Sequence, residues 1–152
     1  MKMSAPGPTT LRLEGRRTTL ADGTAPDVVL AVGVRSIADA FFRHEPPTPL
    51  ELERAIDAIE DALMATRLRH AERGELLTDA PLLHALPGLQ TEGARLVRDE
   101  VESIFQRLAS ASLGHPGALA RLAPGRDVAA ALVILRECMH HFGYDSVRIH
   151  KG

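Results

Sequence analysis

The chain has 152 residues, long enough for one domain to bury a core without a disulfide or a structural metal. Its 18 Lys and Arg residues nearly balance 20 Asp and Glu residues, which leaves a formal net charge of -2 at pH 7. A nearly neutral chain has no overall field to attract nucleic acid or an anionic membrane, so we expect neither as a partner. Cys138 is the only cysteine, which excludes an intrachain disulfide.

Targeting signals are not evident, and the sequence favours a cytoplasmic protein. Residues 1–8 lack the apolar core of a signal peptide. The longest apolar run, Val128 to Leu135, is much shorter than the roughly 20 residues that cross a bilayer. We therefore expect a flexible N-terminus over residues 1–9 and a single globular domain over residues 10–152.

The first third of the chain predicts strands. Polar and apolar residues alternate over 10–14, Gly15-Arg16 can turn, and 17–20 can form a second strand. The β-branched run Val28 to Val32 is typical of a third strand that is covered on both faces. These signals predict a three-stranded meander over residues 10–32.

Two helices are predicted next. Residues 36–43 can form a short helix, which Pro46-Pro47 would stop. The second helix has stronger signals, because Thr48 and Glu51 form a capping box around Pro49. Its core-facing stripe comprises Leu52, Ile56, Ile59 and Leu63. We expect this helix to run over residues 49–73 and to end at Gly74.

The second half alternates strand and helix signals. A short strand is predicted near residues 76–78, and a helix from Thr91 to about Gly114. The last helix follows Gly125, with Asp127 as its predicted cap, and ends at Gly143 before a strand over 146–150. The predicted fold is α/β, with α+β as the alternative: a mixed sheet packed against several helices.

The order of elements resembles one half of the actin-like phosphotransferase fold. The amino-acid sequence resembles that of the exopolyphosphatase and guanosine-pentaphosphate phosphohydrolase family. Three pieces carry this resemblance: residues 30–35 through 46–52, residues 99–108, and residues 125–128 through Ile134-Leu135 to 147–149. Together they cover about two thirds of the chain. The resemblance implies a phosphatase-like scaffold.

The departures from that family concern its phosphate loops. Where the family has an Asp and a glycine-rich Ser/Thr-Glu loop, this chain has Ala5-Pro6-Gly7-Pro8-Thr9-Thr10, whose prolines lack N–H donors and whose Thr10 replaces an acidic residue. Where the family has a Gly-Gly-Thr loop, this chain has Thr78-Asp79-Ala80-Pro81, whose carboxylate would repel an anion. The resemblance therefore implies a scaffold without its chemistry, and no catalytic residue is carried over.

One cluster of metal-type ligands lies in the last helix. Glu137 lies three residues before His140 and four before His141, so each of these pairs can share a helix face, and the three residues are a candidate metal site. The alternative is structural, because histidines in the last turn of a helix also favour its dipole. Cys138 lies on an apolar stripe and is predicted to be an inert core thiol.

Two basic patches are candidate phosphate sites or solvated surface. They are Arg12, Arg16 and Arg17 in the hairpin, and Arg67, Arg69, His70 and Arg73 at the predicted helix end. Few aromatic residues accompany them, which favours a solvated face over nucleic-acid binding.

Two classes of function remain open. The first is a non-catalytic interaction or regulatory protein without a cofactor, which binds a protein partner or forms a homo-oligomer, most simply a dimer. The dimer is expected because the apolar helix over 128–142 and the helix over 49–73 would leave apolar surface uncovered. The second is a phosphohydrolase or metal-dependent enzyme that uses Glu137, His140 and His141.

Overall fold

The computed structural model describes residues 8–119 and 125–151. Its strands are β1 (Thr9–Leu13), β2 (Thr18–Ala21), β3 (Val28–Leu30), β4 (Arg73–Thr78), β5 (Arg95–Val97) and β6 (Tyr144–Ile149). Its α-helices are α1 (Val34–Phe41), α2 (Pro49–Met64), α3 (Arg98–Ser112) and α4 (Arg126–Phe142). Short 3-10 helices span Pro81–Ala85 and Pro116–Leu119.

The strands form one mixed six-stranded sheet in the order β3-β2-β1-β4-β6-β5. The first three are an antiparallel meander, in which Leu11 pairs with Leu20 and Thr19 with Val29. β1, β4 and β6 are parallel neighbours, and β5 is antiparallel to β6. The α/β class and the three-stranded meander predicted from the sequence are thus confirmed.

Helix α4 is the centre of the hydrophobic core. Every residue from Val128 to Leu135 is at most 8% exposed, which confirms that this helix is buried. Helices α1, α2 and α3 all contact α4, and α4 contacts β6. The apolar surface of α4, one of the two helices on which the dimer prediction was based, is therefore covered within the chain, and the dimer itself stays a prediction. No helix within residues 8–119 and 125–151 is long and apolar enough to cross a membrane.

Successive side chains of the central strands point to opposite faces of the sheet. Leu11, Leu76 and Val147 are fully buried on the face that packs on the helices. On the other face the carboxylate of Glu75 accepts hydrogen bonds from Arg95 Nε at 2.9 Å and from Arg148 Nε at 2.8 Å. That face is a polar surface held by ion pairs.

The predicted end of α2 is wrong. The helix ends at Met64, and the segment predicted to be its last turns is a loop followed by β4, in which Gly74 lies. The Leu63 carbonyl accepts two hydrogen bonds from Thr66, one from the backbone N–H at 3.2 Å and one from the hydroxyl group at 2.8 Å. The loop continues with charged, largely exposed residues and has no apolar stripe to pack.

Smaller corrections apply to the other elements. α1 begins and ends two residues before the predicted 36–43, β3 stops at Leu30, and β4 and β6 begin earlier than the predicted 76–78 and 146–150. The helix predicted from Thr91 begins at Arg98, after the unpredicted strand β5. Its start is fixed by Glu100, whose side chain accepts a hydrogen bond from the Val97 backbone N–H at 2.9 Å.

Asp127 is not the cap of α4. The N-cap is Gly125, with φ +136°, and Asp127 lies in the first turn. Its carboxylate instead accepts a hydrogen bond from Arg35 Nη1 on α1 at 3.0 Å. The predicted end at Gly143 is confirmed, because Gly143 adopts a left-handed φ of +86° as the C-cap.

Candidate functional site

The carboxyl ends of β1, β4 and β6 lie at one edge of the sheet. In open α/β sheets ligands bind in the crevice outside this edge. The segments that follow these strands are the turn 14–17, residues 78–81 and His150. A phosphate-binding scaffold would present its anion-binding loops here, so this edge is the first candidate site.

The turn 14–17 is closed by the start of α1. The N–H groups of Val34 and Ser36 donate to the carbonyls of Glu14 and Gly15 at 3.0 and 2.9 Å. The Gly33 N–H donates to Ser36 Oγ at 2.8 Å. A Cβ at Gly33 would lie 2.4 Å from the Glu14 oxygen and 2.5 Å from the Arg17 nitrogen, so only glycine fits there. An anion at this turn would need free backbone N–H groups. Those of Val34, Ser36 and Gly33 instead donate to protein oxygens, and that of Arg17 packs against Gly33.

The charges at this edge are largely paired. Arg17 Nε donates to Glu14 at 2.8 Å, and Arg35 binds Asp127. Arg16 is exposed at the tip of the turn, and Arg12 is exposed within β1. The hairpin patch predicted from the sequence thus does not converge on one point.

The segment after β4 offers an acidic group. Thr78 is 1% exposed, and its hydroxyl oxygen accepts a hydrogen bond from the Ala80 N–H at 3.2 Å. Asp79 is exposed directly beside it, and Pro81 begins a 3-10 helix. A free carboxylate at this position opposes anion binding.

Residues 5–10 were also compared with a phosphate loop of the family, and the structure describes only part of this segment. Ala5, Pro6 and Gly7 lie outside the described residues. Pro8 is exposed, and Thr10 lies within β1, where it pairs with Ala21 and Leu77. Thr10 is thus a sheet residue.

Glu137 lies in a charged cluster between three helices. Its side chain is 6% exposed and accepts a hydrogen bond from Arg136 Nη1 at 2.7 Å. Burial raises the pKa of Glu137 to about 7 against the opposing effect of Arg136, and a hydrogen-bonded carboxyl group, Glu60 of α2, adds to this rise. Glu137 therefore binds a proton more tightly than an ordinary carboxyl group does.

Arg136 connects this pair to α3. Its Nε and Nη2 atoms donate to both oxygens of Glu102 at 2.6 and 3.1 Å, a bidentate arrangement. Its guanidinium lies 4.0 Å from the centre of the Phe105 ring. Hydrogen bonds from Arg136 lower the pKa of Glu102 despite partial burial.

The two histidines of the predicted metal site have other neighbours. His140 Nε2 lies 3.4 Å from Glu102, with 45% of the side chain exposed. The ring of His141 packs edge-on against Phe142, with centroids 5.1 Å apart. Within the described residues, no three His, Cys, Asp or Glu side chains are grouped to hold a metal ion. A metal bound by Glu137, His140 and His141 stays a prediction.

Cys138 is fully buried, and burial raises the pKa of its thiol to about 12. Burial and the raised pKa both favour the protonated thiol, as expected of a core cysteine.

A cavity of about 540 Å³ opens at the opposite edge, beside the amino ends of β1, β4 and β6. Its lining includes Arg67 and Arg73 of the second basic patch. Arg67 donates to the Pro26 carbonyl, and Arg73 Nη1 donates to the Arg69 carbonyl at 2.7 Å. Arg69 Nη1 donates to the Thr66 carbonyl at 3.1 Å. These arginines hold the loop between α2 and β4 rather than converging on an anion.

Sequence reasoning missed Glu60, Glu102 and Arg136. Glu102 and Arg136 are 34 residues apart in the chain. The available signal was Arg136 itself, a charged residue that directly follows the buried run of α4.

Neither a comparison with protein-family models nor one with curated proteins finds a match to this sequence.

A comparison with solved structures finds the same fold in phosphatases. The type II variant of the Aquifex aeolicus Ppx/GppA phosphatase matches with a TM-score of 0.69 and 14% identity, over 94% of this chain and 52% of that one. An exopolyphosphatase-like protein matches with a TM-score of 0.63 and 14% identity, over 97% and 56%. An exopolyphosphatase from Cytophaga hutchinsonii matches with a TM-score of 0.54 and 11% identity, over 94% and 52%.

The chain thus spans about half the length of the phosphatases that it matches. Its fold is that of one half of the Ppx/GppA scaffold, which confirms the partial resemblance seen in the sequence.

Proposed function

We propose that this chain is a non-catalytic interaction or regulatory domain built on one half of a phosphatase-like scaffold. The main support is the closed turn 14–17, where the N–H groups at the start of α1 bind the Glu14 and Gly15 carbonyls. Gly33 fills the space against the amides of Arg16 and Arg17. A phosphate at this turn would have to displace those internal contacts.

The charges at the same edge give further support. Arg17 and Arg35 are bound to carboxylates, and Asp79 adds an exposed negative charge. Catalysis of phosphoryl transfer depends on positioned cations and N–H donors around the anion. Among the residues that the structure describes, this edge presents neither as a convergent set.

The alternative is a phosphohydrolase or a metal-dependent enzyme. It is favoured by Glu137, because a buried carboxyl group with a pKa of about 7 can exchange protons at neutral pH. The side chains that interact with it are those of Arg136 and Glu60.

The test is hydrolysis by the full chain, with Mg²⁺, Mn²⁺ or Zn²⁺ added in turn. The substrates are polyphosphate and guanosine pentaphosphate, and released phosphate is measured against heat-denatured protein. We expect no turnover with any metal. Turnover that is lost in Asp79→Asn or Glu137→Gln, but kept in Asp27→Asn, would establish the enzymatic alternative.

A further inference from the structure

An apolar groove of about 300 Å³ runs between α2 and α3. We call it the α2–α3 groove. Its apolar lining comprises Pro49, Leu52, Ile56, Phe105, Ala109 and Leu113. Leu113 at one end is 68% exposed, although it belongs to the most hydrophobic class of side chains. An apolar groove of this kind is the usual receptor of an amphipathic helix.

Acidic residues border this groove. Glu53 and Asp57 line it from α2, and neither forms an ion pair with any residue of the described ranges. Glu60 continues the same helix face one turn further and reaches Glu137 of α4. The rim is therefore a row of carboxylates beside an apolar floor.

Arg136 contacts the floor of the groove at Phe105. Its guanidinium stacks on Phe105, and its N–H groups bind Glu102 and Glu137. One guanidinium is thus shared between two carboxylates, and within residues 8–119 and 125–151 Glu53 and Asp57 have no ion-pair partner. The charged residues known to line the groove, Glu53 and Asp57, are thus both negative.

We propose that the α2–α3 groove binds a basic amphipathic helix of a partner protein. An apolar stripe at helical spacing fills the floor, and Lys or Arg side chains on its flanks meet Glu53 and Asp57. The proposal rests on the proposed function as an interaction domain and names the chemistry of its partner.

A second copy of this chain does not offer such a helix among the described residues. The apolar faces of α1, α2 and α3 point into the core, and α4 is buried. The arginines Arg67, Arg69 and Arg73 lie outside the helices and bind main-chain carbonyls. Charge complementarity therefore points to a different protein.

The test is binding of a synthetic probe to the full chain. The probe is a fluorescein-labelled peptide of leucine and lysine, about 14 residues or four helical turns long, with its leucines on one face. One control peptide carries glutamate in place of lysine. Another has the leucine–lysine composition shuffled, so that no apolar face forms. By fluorescence anisotropy we expect the first peptide to bind at least about tenfold more tightly than either control, and less tightly as salt is added.

Matched variants locate the site. Asp57→Lys reverses a charge at the rim, and Asp27→Lys makes the same change at an exposed site outside the groove. Leu113→Ala removes an apolar contact, and Met64→Ala truncates a side chain of equal 68% exposure that does not line the groove. We expect at least about tenfold weaker binding for Asp57→Lys and about threefold for Leu113→Ala, with the controls unchanged. All four positions are exposed, and circular dichroism verifies that the variants fold.

Equal binding of the three peptides, or equal effects of groove and control variants, would overturn the proposal. So would a dimer in sedimentation that Leu113→Ala dissociates, because a second copy would then be the occupant. The phosphate-release assay separates this failure from that of the proposed function. Turnover contradicts the non-catalytic domain whatever the peptide does, whereas absence of both turnover and peptide binding contradicts only the groove.

Discussion

Glu137 is the residue whose chemistry depends most on its surroundings. Its carboxyl group is buried between Glu60 on α2 and Arg136 on α4, with Glu102 on α3 binding the same guanidinium. Burial and Glu60 favour the protonated form, and Arg136 favours the charged form. The net result is a pKa of about 7, raised from the ordinary value of 4.5.

Glu137→Gln tests this balance. A carboxyl group that binds its proton more tightly in the folded state stabilises the fold fully below about pH 4.5 and loses this contribution as pH rises through about 7. Glutamine mimics the neutral form at every pH. We therefore expect the variant to match the wild type near pH 4 and to be more stable by roughly 1 to 3 kcal/mol near pH 8, in urea denaturation.

The control for this measurement is Glu72→Gln, which neutralises an exposed carboxylate. Its stability relative to the wild type should change little between the two pH values. A Glu137→Gln variant that is less stable than the wild type near pH 8 would show that the ion pair with Arg136 dominates the site.

At the scale of the element, α2 shows how local chemistry fixes a helix start. Glu51 accepts hydrogen bonds from the backbone N–H of Thr48 at 3.0 Å, from that of Arg43 at 3.2 Å, and from His44 Nδ1 at 2.9 Å. Burial opposes the charged form, but the hydrogen bonds from His44, Thr48 and Arg43 prevail and lower the pKa of Glu51 to about 2. Glu51 thus joins the preceding loop to the helix.

We expect Glu51→Gln to destabilise the protein by roughly 1 to 2 kcal/mol near pH 7. A depressed carboxyl pKa stabilises the fold above the unfolded value of about 4.5, and the contribution disappears as pH falls toward 2. The difference between variant and wild type should therefore shrink in urea denaturation near pH 2.5. Glu53→Gln on the same helix is the control, since that side chain is exposed. An unchanged difference at acid pH would mean that shape rather than charge makes Glu51 important.

At the scale of the whole molecule, α4 links the helical layer to the sheet. It contacts the three other helices and β6, and Leu132 at its centre is fully buried. The N-terminal meander joins the same core through Leu11 and Leu20. We propose on this basis that residues 10–152 fold as one domain.

Leu132→Ala tests this proposal. The variant leaves a cavity in the core that should cost about 2 to 5 kcal/mol, whereas Leu50→Ala changes a side chain that is 53% exposed and should cost much less. By scanning calorimetry we expect one transition for each protein, with that of Leu132→Ala at a lower temperature. A second transition that stays at the wild-type temperature would show that part of the chain unfolds independently.

The sequence alone determined the features that depend on residues close together along the chain. The capping box of Thr48 and Glu51 and the apolar run from Val128 to Leu135 each act within a few residues, so α2 starts and α4 is buried where the sequence predicts. The three-residue strand β5 was missed, since alternation over so short a segment is indistinguishable from the start of the helix that follows.

Only the tertiary structure decided the features that need distant segments to meet. Arg136 binds Glu102, which lies 34 residues earlier in the chain. Gly33 closes the turn 14–17 because α1 packs back onto the hairpin. The acidic α2–α3 groove likewise exists only once the two helices lie side by side on α4. Burial and charge pairing at these sites depend on which surfaces the fold brings together, and a linear pattern of residues does not specify that.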